Sequence, residues 1–86
     1  MKIVIIGGGS VLWTPRLGCD FLLEKSLDGS QLVLNDIDVE AANLCAEYLR
    51  RANKQLNTHW KIKVASLDAA LKNADLVLVS ISTGSF

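Results

Sequence analysis

A strand that runs straight into three glycines and then into a helix start is the feature that most restricts this chain. Ile3-Val4-Ile5-Ile6 is β-branched and apolar without alternation, the pattern of a strand covered on both faces inside a parallel sheet. Gly7-Gly8-Gly9-Ser10 interrupts it, and Thr14-Pro15 follows. Threonine is a helix-capping residue, and proline suits the first helical position, where no backbone donor is needed. Strand, glycine turn and helix in immediate succession form the context in which a turn holds the pyrophosphate of a dinucleotide. Gly7 permits the tight turn and Gly9 lets the backbone approach the pyrophosphate. The helix adds free N–H groups and the positive end of its dipole. Ser10 and Thr14 offer hydroxyl donors, and Val11 and Leu12 complete the turn. Leu12 stands where the G-x-G-x-x-G pattern has its third glycine, which eases packing of helix on strand, so the helix is expected to begin displaced.

The remaining sequence alternates helix and strand. The first helix should turn Leu17, Phe21 and Leu22 inward, with Gly18 on that side permitting close approach to the sheet. It should fade near Lys25 and Ser26, before an Asp28-Gly29 turn. Gln31 to Asn35 reads as a second strand. Asp38 is placed to cap a second helix, where Ala42, Cys45, Leu49, Ala52 and Leu56 recur at spacings of three and four. Trp60-Lys61-Ile62-Lys63-Val64 alternates apolar and polar, as a half-exposed edge strand does. Ser66 can cap a short third helix reaching Lys72, and Asp75 to Ile81 forms a fourth strand, again apolar without alternation. The order βαβαβαβ predicts an α/β fold with a parallel sheet and right-handed crossovers. Uniformly apolar first and fourth strands and an alternating third predict the order 3-2-1-4, the first half of a doubly wound, Rossmann-like sheet. No linker divides residues 1–86, which read as one incomplete nucleotide-binding segment.

Composition closes off other classes. The chain has 86 residues, short of the usual domain of roughly 100–150. Nine basic and nine acidic residues cancel and are interspersed, so there is no stripe for nucleic acid. No apolar run is long enough for a signal-peptide core or a membrane span, and the expected setting is cytoplasmic, with neither membrane nor nucleic acid as partner. Cys19 and Cys45 lie apart among helix formers and read as reduced structural residues. His59 is the one histidine and sits in polar sequence, where a solvated ring is expected. No paired carboxylates, Ser–His–Asp set or metal cluster is present, and Arg16 reads as a solvated helix residue. The chain should hold a binding site without catalytic or metal-ligating residues.

Asp36 ends the second strand, 24 residues beyond Leu12, near the acidic position expected about 20 residues past the turn to bond the adenosine ribose. A carboxylate there accepts from ribose hydroxyls and repels a 2′-phosphate, which favours NAD over NADP. Asp38 competes for this role, but capping explains it better. Ser82, Thr83 and Gly84 leave the carboxyl end of the fourth strand, the rim that faces the ligand crevice in open α/β sheets. They can line the cofactor or simply end the strand.

Gly7-Gly8-Gly9-Ser10 followed by Thr14-Pro15 resembles the opening G-G-G-S-x-x-x-T-P of the NAD-dependent family 4 glycoside hydrolases. Leu34-Asn35-Asp36-Ile37-Asp38 and the stretches Asn73-Ala74-Asp75 and Ser82-Thr83-Gly84-Ser85-Phe86 are also similar. The resemblance implies hydrolysis of glycosides without the standard carboxylate pair. NAD oxidises the sugar at C3, a base removes the acidified C2 proton, the leaving group is eliminated, water adds and the hydride returns. It also implies a divalent metal, commonly manganese, whose cysteine and histidine ligands, like the base, have no counterpart in this chain. The chain accordingly looks like an N-terminal part of a longer enzyme, inactive alone, and Ser80 to Gly84 leans toward members acting on unphosphorylated α-glycosides or galacturonides. The alternatives are a fragment of a 2-hydroxy acid dehydrogenase, against which Thr14-Pro15 speaks, and a non-enzymatic nucleotide-binding module. An unpaired fourth strand should expose a raw sheet edge and drive self-association or poor solubility, and a homo-oligomer is the expected assembly, with a small-molecule glycoside as the substrate of the longer enzyme.

Overall fold

The β-branched run at the start of the chain lies where its composition demands, in the interior of a four-stranded parallel sheet. The computed structural model describes residues 1–80, so Ser82, Thr83 and Gly84 lie outside the described residues. The elements are β1 (Lys2–Ile6), α1 (Thr14–Leu22), a single 3₁₀ turn (Lys25–Leu27), β2 (Gln31–Asn35), α2 (Val39–Gln55), β3 (Lys61–Val64), α3 (Leu67–Leu71) and β4 (Leu76–Val79). The sheet order is β3-β2-β1-β4, as the apolar patterning predicts, but β4, expected to be covered like β1, lies at the edge of the described sheet with Leu76, Val77 and Val79 exposed. All three pairings are parallel. Ile6 lies opposite Asn35 on one side and Val79 on the other, so the strands end together on one rim.

One face of the sheet carries the main core. Ile3, Ile5, Leu32 and Leu34 pack there against Leu22 of α1 and Ala42, Cys45, Ala46 and Leu49 of α2, closed at the β3 side by Trp60 and Ile62. Val4 and Val33 point to the opposite face, under Ala70 of α3. Each fully buried Leu or Ile contributes about 1.5–3 kcal/mol relative to an exposed one, which suffices to hold short helices in place. Alternation in β3 follows its edge position: Ile62 is buried while Lys61 and Lys63 face water.

Three expectations are corrected. Trp13, not Thr14, occupies the N-cap of α1 and makes no side-chain capping bond; Thr14 is the first helical residue and is fully buried. The chain arrives from the glycine turn at an angle that directs Thr14 into the protein. Gly18 accommodates α2 and not the sheet, because a Cβ there would lie 2.5 Å from Leu49 Cδ2. Leu56, expected on the buried stripe of α2, is its exposed C-cap. The helix ends there because Asn57 turns into the left-handed region, with φ of 56°, which asparagine tolerates better than most residues. By contrast, Asp38 and Ser66 cap as expected, accepting from the backbone N–H of Ala41 at 3.0 Å and of Ala69 at 3.4 Å. Among the described residues no helix is long and apolar enough to cross a membrane.

Candidate dinucleotide site

The glycine turn hangs from the end of β2. The N–H groups of Gly7 and Gly8 both donate to the Asn35 carbonyl, at 2.7 and 2.9 Å. Each glycine has its own steric reason. Gly7 has φ of +83° and its Cα faces the Ser80 carbonyl, leaving no space for a side chain. A Cβ on Gly8 would sit 2.9 Å from Leu34 Cβ, and one on Gly9 would sit 2.8 Å from Asp36 Oδ2 and 2.9 Å from Ala41 Cβ. The turn is thus squeezed between β4, β2 and the first turn of α2.

Asp36 fastens the turn. Its Oδ2 accepts from the Gly9 N–H at 2.8 Å and its Oδ1 accepts from the Asp38 N–H at 2.9 Å. Cys45 lies beneath, its thiol donating to the Ser10 carbonyl at 3.9 Å. Burial, then the charge of Asp36, pushes the Cys45 thiol above its ordinary value, so it stays protonated and serves as a weak donor, not a nucleophile. Cys19 is likewise raised, by burial first and then by Asp20.

Gly7, Gly9, Ser10, Val11, Leu12 and Asp36 surround one crevice of about 630 Å³, together with Ile6, Asn35, Ile37, Asp38, Ala41 and Ser80. That volume is in the range of small-molecule sites. No lysine or arginine is among these lining residues. An anion there would meet backbone donors and the dipole of α1. Among the described residues the N–H groups of Val11 and Leu12 find no acceptor. Leu12, at 87% exposure, stands out from the turn, and α1 begins two residues later. Thr14 does not join the site as a donor at the helix cap; its buried hydroxyl has no partner among the described residues. Two further residues stand at the site without a strong signal in the sequence: Ile37, fully exposed beside Asp36 in the crevice lining, and Trp13, whose indole N–H donates to the Ser80 hydroxyl. An apolar residue between two acids at a strand end was the available sign for Ile37; nothing local marked Trp13.

A strand, a three-glycine turn and an acid at the end of the next strand describe many nucleotide binders, so the comparison with known proteins decides the family. The model of the family 4 glycosyl hydrolases matches residues 2–86. The chain belongs to glycosyl hydrolase family 4. Similar proteins include an alpha-galacturonidase of Thermoanaerobacter italicus, 45% identical over 87 residues, covering 100% of this chain and 18% of that protein. Another is an alpha-galacturonidase of Bacillus subtilis, 37% identical, covering 99% of the chain and 18% of that protein. Among solved structures, a 6-phospho-alpha-glucosidase from gut microorganisms in complex with NAD and glucose-6-phosphate superposes with a TM-score of 0.84 at 31% identity, over 98% of this chain and 19% of the other. The 6-phospho-beta glucosidase of Thermotoga maritima, also with NAD and glucose-6-phosphate, gives 0.81 at 26% identity, over 98% of this chain and 20% of that one. The family 4 chain described here therefore spans about a fifth of the length of the glycosidases it matches.

Proposed function

We propose that this chain is the NAD-binding part of a family 4 glycosidase that acts on α-galacturonides. The observation that carries the NAD reading is the Asp36 carboxylate clamped to Gly9 in the lining of the crevice. Clamping sets a fixed anion beside the turn, and the lone pairs not used by Gly9 and Asp38 accept from the adenosine ribose hydroxyls. A 2′-phosphate would meet that anion, so NAD is preferred over NADP. Ile37 offers an apolar surface to the adenine, and the turn offers N–H groups to the pyrophosphate. Val11 and Leu12 flank the pyrophosphate, and Ser82, Thr83 and Gly84 are assigned to the far end of the cofactor. When bound, the nicotinamide supplies a reversible two-electron oxidation of the sugar at C3, which acidifies the C2 proton and permits elimination of the leaving group.

The galacturonide assignment is supported by the two alpha-galacturonidases matched along the whole chain. The divalent metal of this reading, manganese, does not fit the described residues: among them no three His, Cys, Asp or Glu side chains gather to hold an ion. Its ligands and the catalytic base are assigned elsewhere in the enzyme, and the chain alone should release no nitrophenol from a nitrophenyl α-galacturonide supplied with NAD and manganese. Calorimetric titration tests the cofactor claim. Binding of NAD by the isolated segment should be weak, because it holds only part of the site, whereas the enzyme that carries it should bind NAD saturably and NADP at least tenfold more weakly; equal binding of the two by that enzyme, or none, refutes the claim. An enzyme carrying this segment should cleave nitrophenyl α-galacturonide in preference to 6-phosphoglucosides, and the reverse preference refutes the substrate claim.

A further inference from the structure

Asp36 and Ser80 both line the same crevice. Each lies one position beyond a residue that faces Ile6 across the sheet, on the two strands that flank β1. Strands are spaced by about 4.8 Å, so roughly 10 Å separates the two backbones, with the glycine turn between them. A dinucleotide with its adenosine ribose at Asp36 and its pyrophosphate on the turn therefore carries its second nucleotide toward Ser80. The Ser80 backbone is pinned, its N–H donating to the Ile6 carbonyl at 2.8 Å. Its hydroxyl alone is free to rotate, and that hydroxyl accepts from the Trp13 indole N–H.

Trp13 is an unusual residue for its position. It occupies the N-cap of a nine-residue helix and makes no capping bond, where Ser, Thr, Asp or Asn would stabilise the helix. Its polar atom is turned across the rim to β4 instead. An indole N–H can only donate, so Ser80 must accept, and the one hydroxyl proton is left to donate elsewhere.

We propose that Trp13 is a positioning residue for the second half of the dinucleotide: its indole holds the Ser80 hydroxyl so that the hydroxyl proton is directed to an acceptor oxygen of the nicotinamide-side nucleotide. The proposal rests on the dinucleotide reading above and adds a residue that contacts the ligand only through Ser80.

Heteronuclear NMR titration of the 86-residue chain with NAD, AMP and nicotinamide mononucleotide tests it, using the Gly9 amide and the two indole N–H resonances as reporters. NAD and the mononucleotide should shift the Trp13 indole, whereas AMP should shift the Gly9 amide and leave that indole in place. Trp13→Phe and Ser80→Ala should each weaken NAD binding about three- to tenfold, the effect of one lost hydrogen bond, with AMP binding unchanged. Because both act through one bond, the double variant should be no weaker than either single one. An unmoved Trp60 indole verifies that each variant is folded. The proposal is overturned if NAD shifts Gly9 but not the Trp13 indole, or if the variants weaken AMP and NAD equally. If NAD shifts neither reporter, the dinucleotide reading fails and takes this inference with it.

Discussion

Replacing Asp36 by asparagine tests whether the carboxylate is part of the turn or merely exposed beside it. At an ordinary surface position this change is nearly silent, within about 0.5 kcal/mol. Here both oxygens are acceptors, for the N–H of Gly9 at 2.8 Å and of Asp38 at 2.9 Å. An amide keeps one acceptor and presents an NH₂ group to the other donor, so two donors face each other. Hydrogen bonds to charged groups contribute roughly 1.5–3 kcal/mol each, and neutral ones about 1. The Gly9 bond is part-buried and the Asp38 bond exposed, which favours the low end of these values. Asp36→Asn should then cost about 2 kcal/mol and Asp36→Ala about 3. At roughly 4–8 °C per kcal/mol for a chain of this size, the asparagine variant should melt about 10 °C lower. Thermal unfolding followed by circular dichroism measures this, and NAD titration should show binding weakened alongside. An Asp36→Asn variant that melts within 2 °C of the parent, roughly the 0.5 kcal/mol of a silent surface change, would refute the claim that this carboxylate fastens the turn.

Other consequences follow from named contacts. Gly18→Ala gains about 1 kcal/mol of helix propensity but drives a methyl to within 2.5 Å of Leu49, itself fully buried; overpacking of about 1–3 kcal/mol should win, seen as a lower urea midpoint. Asp28 accepts from the His59 ring at 2.9 Å and from the His59 N–H at 2.7 Å, and these bonds hold its carboxyl below the ordinary aspartate value. A depressed carboxyl stabilises the fold above its unfolded value, about pH 4, and that contribution is lost as pH falls through the folded value. Urea midpoints should therefore drop below pH 4 in the parent, and the drop should be smaller in Asp28→Asn. The edge of β4 exposes Leu76, Val77 and Val79, the last at 58%; sedimentation should show concentration-dependent association that Val79→Lys suppresses, and a monomer at all concentrations would contradict it.

Much of this architecture is determined by the sequence alone. A first strand of uninterrupted β-branched residues has to be covered on both faces and an alternating strand has to lie at an edge, and these demands place β1 inside and β3 outside in the order β3-β2-β1-β4. Asp38 and Ser66 were legible as caps because each bonds a backbone N–H three residues onward, within reach of a local pattern. The placement of Gly7, Gly9, Ser10, Val11, Leu12 and Asp36 around one crevice was legible for a related reason: parallel strands of equal register must deliver their ends to one rim.

Tertiary structure decided the rest, wherever a residue answers to a neighbour far away in the chain. Gly9 is required by Asp36, 27 positions on, and by Ala41; Gly18 is required by a leucine on another helix. Trp13 turns to Ser80, 67 positions away, and gives up the cap it occupies, while Thr14 loses the capping role its chemistry suits because the chain enters the helix one residue earlier. The triple glycine that restricts the chain from the outset is thus a packing requirement in its own right. Its sequence announced a turn, but only the packing of β2, β4 and α2 around that turn shows why no side chain fits at any of the three positions.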